Sequence, residues 1–340
     1  MTERSMATIR RIDAIDPIEG ADTIEVATVG GWKVVVKKGE FQVNSLAVYL
    51  EIDSWVPNEL ASFLTSAGKE PREYNGVKGE RLRTVKLRGQ VSQGLLLPLE
   101  PTCKNIASDL FEGLDVTFPL NIQKWERPIP AQLAGRVKGN FPSLIPKTDQ
   151  ERIQNLTKQF EKLQEHRWEV TEKLDGSSCT FYLDNEGEFH VCSRNLDLER
   201  DENNSFWKAA IKYDIENKLR LNKCKGLALQ GELVGEGIQG NQYKTELDFY
   251  VFDVYNVNIQ QYTLPASRQS ACKLLGLKHV PILEMEFDIS KMNVQDLLKM
   301  AEGKSFLNGS EREGIVFKST TDHQTSFKAI SNKWLLKGGD

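Results

Sequence analysis

The stretch Glu172-Lys173-Leu174-Asp175-Gly176-Ser177-Ser178 decides how the chain folds around its chemistry. Trp168 to Thr171, just before it, alternates apolar and polar residues, which predicts a strand. Asp175-Gly176 predicts a turn immediately afterwards. A lysine is thereby delivered at the end of a strand, held by the sheet while the chain bends away and leaves room for a substrate. Taken alone, the same residues describe a surface lysine before a hairpin. The C-terminal half settles the choice, because it repeats the pattern of strand ends that carry reactive side chains.

Phe189 to Arg194 reads as a strand ending in Ser193-Arg194-Asn195, and Asn203 to Leu219 reads as largely helical. Leu227 to Gly235 is an apolar strand interrupted by Glu232, where an unpaired carboxylate would be costly and so points to function. Phe249 to Val254, Glu311 to Lys318 and Ser326 to Ile330 complete the strands, carrying Phe252, Glu313, Lys318 and Lys328.

The 340 residues suggest two domains. Charged residues make up 27% and hydrophobic ones 39%, an ordinary globular balance. No apolar run approaches the roughly 18 residues of a membrane span, and Met1 to Arg11 lacks the apolar core of a secretory signal. The five cysteines (Cys103, Cys179, Cys192, Cys224, Cys272) never fall in CxxC spacing, which fits reduced thiols and gives no zinc site. A cytoplasmic or otherwise intracellular location, nuclear in a eukaryote, is the expectation. A net charge of −4 means that a nucleic-acid partner would meet a local basic patch rather than an overall field.

From Ala7 to about Leu120 the texture is short strands broken by glycines: Thr23 to Val29, Trp32 to Lys37, Leu46 to Ile52 and Gly94 to Leu99. This predicts a small antiparallel barrel. Arg81 to Arg88 reads as a further strand. Five Lys/Arg between Lys78 and Arg88 stand against Glu80 alone, so Arg81, Arg83, Lys86 and Arg88 are candidates for tracking a phosphate backbone. A solvated, charge-protected strand edge is the competing reading. The segments Gly20 to Val29 and Lys86 to Leu97 resemble the OB folds that bind tRNA-like RNA beside synthetases, in agreement with a barrel.

Pro119, Pro128, Pro130, Pro142 and Pro146, interleaved with Gly135 and Gly139, make the region a poor place for regular structure. The expected organisation is residues 1–125 as a barrel, 126–146 as a junction and 147–340 as the catalytic domain. Thr148-Asp149-Gln150-Glu151 reads as a capping box, opening a helix with Ile153, Leu156, Phe160 and Leu163 on one face and ending near His166.

In order and spacing, KxDG at Lys173, the strand with Glu232, Phe252-Asp253, EGxVxK from Glu313 and the strand with Lys328 resemble the covalent nucleotidyltransferases, the polynucleotide ligases and mRNA capping enzymes. A barrel placed before the transferase looks like the RNA ligases of the Deinococcus type. The resemblance implies an α+β fold: an N-terminal OB-like antiparallel β-barrel followed by an ATP-grasp-like ligase domain of antiparallel sheets with flanking helices. It implies an RNA ligase that uses ATP with Mg2+ or Mn2+ and seals 5′-phosphate/3′-hydroxyl nicks in RNA or an RNA-containing duplex, acting as a monomer.

By that resemblance Lys173 accepts the adenylate, while Glu172, Gly176, Ser178, Arg194, Glu232, Phe252, Lys318 and Lys328 surround the nucleotide. Phe252 stacks on adenine, and Glu232 and Glu313 hold the metal. An unperturbed lysine, with a pKa of about 10.4, is mostly protonated at neutral pH. Neighbouring cations and a metal are therefore expected to expose its lone pair. Two departures stand out. Ser326 occupies the place of the first lysine of the last motif, so Lys318, Lys333 or Lys337 would supply the partner charge. Ser178 stands where DNA ligases and capping enzymes often carry arginine.

Gly235-Glu236-Gly237-Ile238-Gln239-Gly240 fits the dinucleotide pattern G-x-G-x-x-G. Asn241 to Leu247 shows no helical face, however, so the glycines read as a loop. The rival functions are a GTP-using capping-type transferase, a DNA ligase, and a non-catalytic RNA-binding protein. Labelling with ATP or GTP, and sealing of RNA or DNA nicks, separate them.

Overall fold

A computed structural model describes residues 4–106, 109–126, 136–222 and 224–338. The chain forms two compact units. One comprises Met1–Arg127, Gln154–Lys158 and Leu335–Asp340, and the other Pro128–Ile153 and Gln159–Trp334. Pro128, Pro130 and Gly135 of the expected junction lie outside the described residues.

The first unit is built around the Leu46–Leu50 strand, which pairs antiparallel with Ala7–Arg11 on one side and Leu95–Pro98 on the other. Alternate side chains of a strand point to opposite faces. Here both faces are buried: Ala47 and Tyr49 pack with Trp32 and Val34, while Val48 and Leu50 pack with Ile9 and Val116. Ala14–Pro17, Ile24–Val29 and Trp32–Lys37 form a second sheet, and Gln123–Lys124, Ser54–Pro57, Val77–Arg81 and Arg72–Tyr74 a third. The expected barrel is thus divided: among the described residues the ladders form separate sheets rather than one closed ring.

The basic stretch is divided as well. Val77–Arg81 ends in a guanidinium that is buried, paired with Asp53 at 2.6 Å and stacked 3.7 Å from the Trp125 ring centroid. Arg81 is therefore a packing group, not a solvent-facing phosphate contact. Val85–Leu87 then forms a hairpin with Gln90–Ser92. It turns at Arg88 and Gly89, whose φ values of 47° and 85° suit a tight hairpin turn. Arg83, Lys86 and Arg88 are exposed.

The expected helix over Thr148 to His166 does not form. Glu151–Arg152 runs parallel to Phe327–Lys328, and short 3-10 turns at Ile153–Asn155 and Thr157–Gln159 precede one helical turn at Phe160–Leu163. Long-range partners override the local periodicity. The Asn155 side chain accepts from the Trp32 indole at 2.7 Å and donates to Glu51 at 2.5 Å.

The second unit holds two sheets. One runs in the order Glu151–Arg152, Ser326–Ile330, Gly314–Ser319, Arg167–Lys173, Ile282–Asp288. The other is centred on Ser177–Leu183, Leu227–Val234 and Asp248–Asn256. Phe181, Phe189, Phe249 and Trp207 fill the core against helices Ser205–Lys212 and Ile215–Leu221. The predicted helical stretch Asn203 to Leu219 forms as these two helices, divided at Asp214 with φ 51°, the second running on to Leu221. No described helix is long and apolar enough to cross a membrane.

Candidate active site

Antiparallel register decides which side chains share a face. Lys173 lies opposite Gly314, Glu169 opposite Lys318, Lys318 opposite Ser326 and Val316 opposite Lys328. Directly paired residues project to the same side, so Lys173, Lys318, Lys328 and Glu169 occupy one face. The other face carries Trp168, Phe317 and Phe327, with ring centroids 4.5–6.2 Å apart. An apolar underside thus anchors a sheet whose upper side is charged.

Glu172 follows the same rule and goes the other way from Lys173. Its buried carboxylate accepts from the Phe306 N–H at 2.9 Å, and burial pushes its pKa up against the hydrogen bonds from Ser305 and Phe306. Strand alternation turns the side chain to the loop beneath, away from the Lys173 amine, and leaves only the Glu172 backbone on the side expected to meet the nucleotide.

At the Lys173 end the amine donates to both oxygens of Glu313, at 2.6 and 2.7 Å. Burial alone would favour the neutral amine, but the Glu313 and Glu232 carboxylates and Asp175 outweigh it and hold the pKa above the ordinary value. This reverses the expected activation by neighbouring cations, because the groups nearest the amine are acids. Glu232 is pushed up to about 8, chiefly by burial, with Glu313 and Asp175 adding to the rise and Lys173 opposing it. One Glu232 oxygen accepts the Gly176 N–H at 3.0 Å. Ser178 pairs with Glu232 across the second sheet, and its hydroxyl lies 3.2 Å from that of Thr148. A Cβ at Gly176 would meet the Leu233 carbonyl at 2.1 Å, so only glycine lets the chain turn this close to the neighbouring strand.

Further along the face, Lys328 donates to Asp149 at 2.9 Å, and Arg194 pairs with the other oxygen of the same carboxylate at 3.3 Å. Lys318 is deeper. It bonds to Asp253 and donates to the Phe252 carbonyl at 2.8 Å. Burial lowers its pKa to about 8, opposed by Asp253 and assisted by Arg268. Arg268 is fully buried, bonded to Glu169 and, at 2.9 Å, to His279, whose pKa burial lowers to about 4. Phe252 sits at an irregularity where Gly231 faces Val251 and Gln230 faces Asp253. Its half-buried ring lies 5.8 Å from the Lys318 amine. Of the substitutes expected for the missing lysine, Lys333 pairs instead with Glu302 at 2.8 Å, and Lys337 belongs to the first unit.

The structure therefore brings together Lys173, Gly176, Ser178, Glu232 and Glu313, places Lys328 and Arg194 on one carboxylate, and turns Glu172 away. Sequence reasoning missed Asp149 and Thr148, read there as a helix cap. It also missed Tyr243, which carries no motif.

Residues 166–330 match a family model for RNA ligases, and residues 6–99 match one for an OB-fold domain. No curated protein matches the sequence. Solved structures of the Naegleria gruberi RNA ligase are similar over nearly the whole chain. An aspartate-to-alanine variant without ligand is 44% identical, covers 99% of both chains and has a TM-score of 0.91. A lysine-to-alanine variant with ATP and Mn is 44% identical, covers 98% of both chains and has a TM-score of 0.90. A glutamate-to-alanine variant with AMP and Mn is 44% identical with a TM-score of 0.90, covering 98% of this chain and 99% of that one. With this identity over the full length, and with a strand-end lysine facing two carboxylates and a row of cations, the chain belongs to the RNA ligase family.

Proposed function

We propose that the protein is an ATP-dependent RNA ligase that seals 5′-phosphate/3′-hydroxyl nicks through a lysyl-AMP intermediate on Lys173. The observation that carries this reading is the Lys173 amine held by Glu313 beside Glu232, with Lys328 and Arg194 gathered on Asp149 further along the site. Lys173 Nζ attacks the α-phosphorus of ATP, forming the P–N bond as the bond to the pyrophosphate oxygen breaks. Glu313, already hydrogen-bonded to the amine, takes its proton. In the second step an RNA 5′-phosphate oxygen attacks the same phosphorus and Lys173 leaves. In the third a 3′-hydroxyl attacks the 5′-phosphate, and AMP departs as the phosphodiester forms. All three are phosphoryl transfers, in which positioning and electrostatics dominate.

The donors around Lys173 suit a hard divalent cation such as Mg2+ or Mn2+, since Glu232, Glu313 and Asp175 offer only carboxylate oxygens. Burial chiefly raises Glu232 to about 8, with Glu313 and Asp175 adding to the rise, so a cation beside it would offset both. When bound, such an ion neutralises the acids and offsets charge on the transferring phosphoryl group. Glu232 and Glu313 would hold it. Lys328 and Arg194 bind phosphate oxygens, for which Asp149 competes. Ser178 lies within reach of the ribose, and Phe252 offers a stacking surface for adenine worth about 1–3 kcal/mol. Lys318 supports Phe252 from beneath rather than meeting a phosphate.

In the first unit, residues 1–125 act as an OB-fold domain that binds nucleic acid through the exposed Arg83, Lys86 and Arg88. A single chain supplies every group named, so a monomer suffices. The test is nick sealing with the 3′-hydroxyl strand made of RNA or of DNA. The reading expects sealing only of the RNA 3′-hydroxyl; equal sealing of all-DNA nicks would contradict it.

A further inference from the structure

The loop from Gly235 to Leu247, which begins with the G-x-G-x-x-G stretch, takes no part in the chemistry above. Yet it meets the turn behind the nucleophile at nearly every polar atom. The Asp175 N–H donates to the Tyr243 hydroxyl at 2.8 Å. Gln242 donates to the Asp175 carbonyl at 3.2 Å, and Gln239 donates to that of Gly176. The Gly176 N–H is held from elsewhere, by Glu232 at 3.0 Å. Tyr243 is also buried against Leu174, the residue directly after Lys173, together with Val234 and Val280.

The loop is itself stiff. Glu236 donates through its N–H to the Thr245 carbonyl at 3.1 Å, and the Asn241 amide brackets Thr245 with bonds of 2.9 and 3.0 Å. Gly235 has φ 100°, and a Cβ there would meet the Glu246 carbonyl at 2.1 Å. The turn it grips is the joint between the two sheets. Lys173 ends one sheet and Ser177 begins the other, which carries Ser178, Glu232 and Phe252. The angle of that joint sets the distance between the nucleophile and the opposite wall of the site.

We infer that the Gly235–Leu247 loop is the positioning element for the nucleophile: through Tyr243, Gln239 and Gln242 it fixes the Asp175–Gly176 turn, and with it the placement of the Lys173 amine against Glu232. This rests on the reading of Lys173 as the adenylate acceptor. Tyr243, Gln239 and Gln242 are positioning residues, since the atoms they hold are backbone.

The test uses the full chain carrying Tyr243→Phe, which keeps the ring packed, or Gln242→Ala at an exposed position that leaves the core intact. Two single-turnover rates are compared: lysyl-AMP formation, and sealing of a nick whose 5′ end is already adenylylated, a step in which Lys173 is not the nucleophile. Tyr243→Phe should slow lysyl-AMP formation about 10-fold, as expected for a buried donor left unmet. The KM for ATP and the sealing of the adenylylated nick should stay within about two-fold of wild type, since the turn's other bonds remain. Gln242→Ala should follow the same pattern with a smaller loss. Wild-type labelling rates in both variants would overturn the inference, as would equal losses in both steps with a lowered Tm. A wild-type chain that forms no lysyl-AMP would instead overturn the reading beneath it, and this inference with it.

Discussion

Lys173 and Lys318 project from the same face of one sheet, on neighbouring strands, yet their surroundings drive the two amines in opposite directions. Lys173 sits among Glu313, Glu232 and Asp175, which hold its proton more firmly than water would. Lys318 is buried against Asp253 with Arg268 nearby, and its pKa falls to about 8. A search for the most easily deprotonated lysine would choose Lys318, whose bonds to Asp253 and the Phe252 carbonyl make it a brace. Perturbed titration marks both functional sites and structural ion clusters; geometry tells them apart. In the proposed reading, the acids that hold the Lys173 proton are also the groups that would hold the cation.

The contrast can be broken at either end. The largest effect is expected at the Lys173 end. Glu313→Gln removes both the proton acceptor and a metal ligand, and should cut the rate of lysyl-AMP formation by about 100-fold or more. A rate within two-fold of wild type in single-turnover labelling would remove Glu313 from the chemistry.

At the Lys318 end the expected effect is on stability. Arg268→Met leaves Glu169 and Asp253 buried beside one cation fewer, and should destabilise the fold by about 3–5 kcal/mol in denaturant titration. A loss below about 1 kcal/mol would mean that the buried cluster does not depend on this arginine. The smallest effect lies between the two. Asp149→Asn releases Lys328 and Arg194 from a carboxylate that is itself partly exposed, and should tighten nucleotide binding by about 2–5-fold. Weaker binding would show that Asp149 orients the cations rather than competing for them.

The charged groups around Lys173 could be read from the sequence because each sits on or beside a short strand within a recognisable local pattern. Lys173 before Asp175-Gly176, Glu232 in an apolar run and Glu313 before a glycine all announced themselves. Glu172 was also legible in principle: period-two alternation alone sends it to the face opposite Lys173, and the motif obscured that rule. Asp149 was not legible. Thr148 to Glu151 looks like a helix cap, and only partners far along the chain, Lys328 and Arg194, turn it into part of the site. Arg81 failed likewise, since Asp53 and Trp125 bury it from distant positions. Local pattern thus located the strand-borne groups, while residues whose role depends on distant partners needed the fold.

The most direct test is the residue to which adenylate becomes attached. Incubating the full chain with ATP and Mg2+, then mapping the adduct by peptide mass spectrometry, should place one AMP on Lys173 and none on Lys318 or Lys328, with the adduct absent from Lys173→Ala. An adduct on another lysine, or one retained in Lys173→Ala, would contradict it.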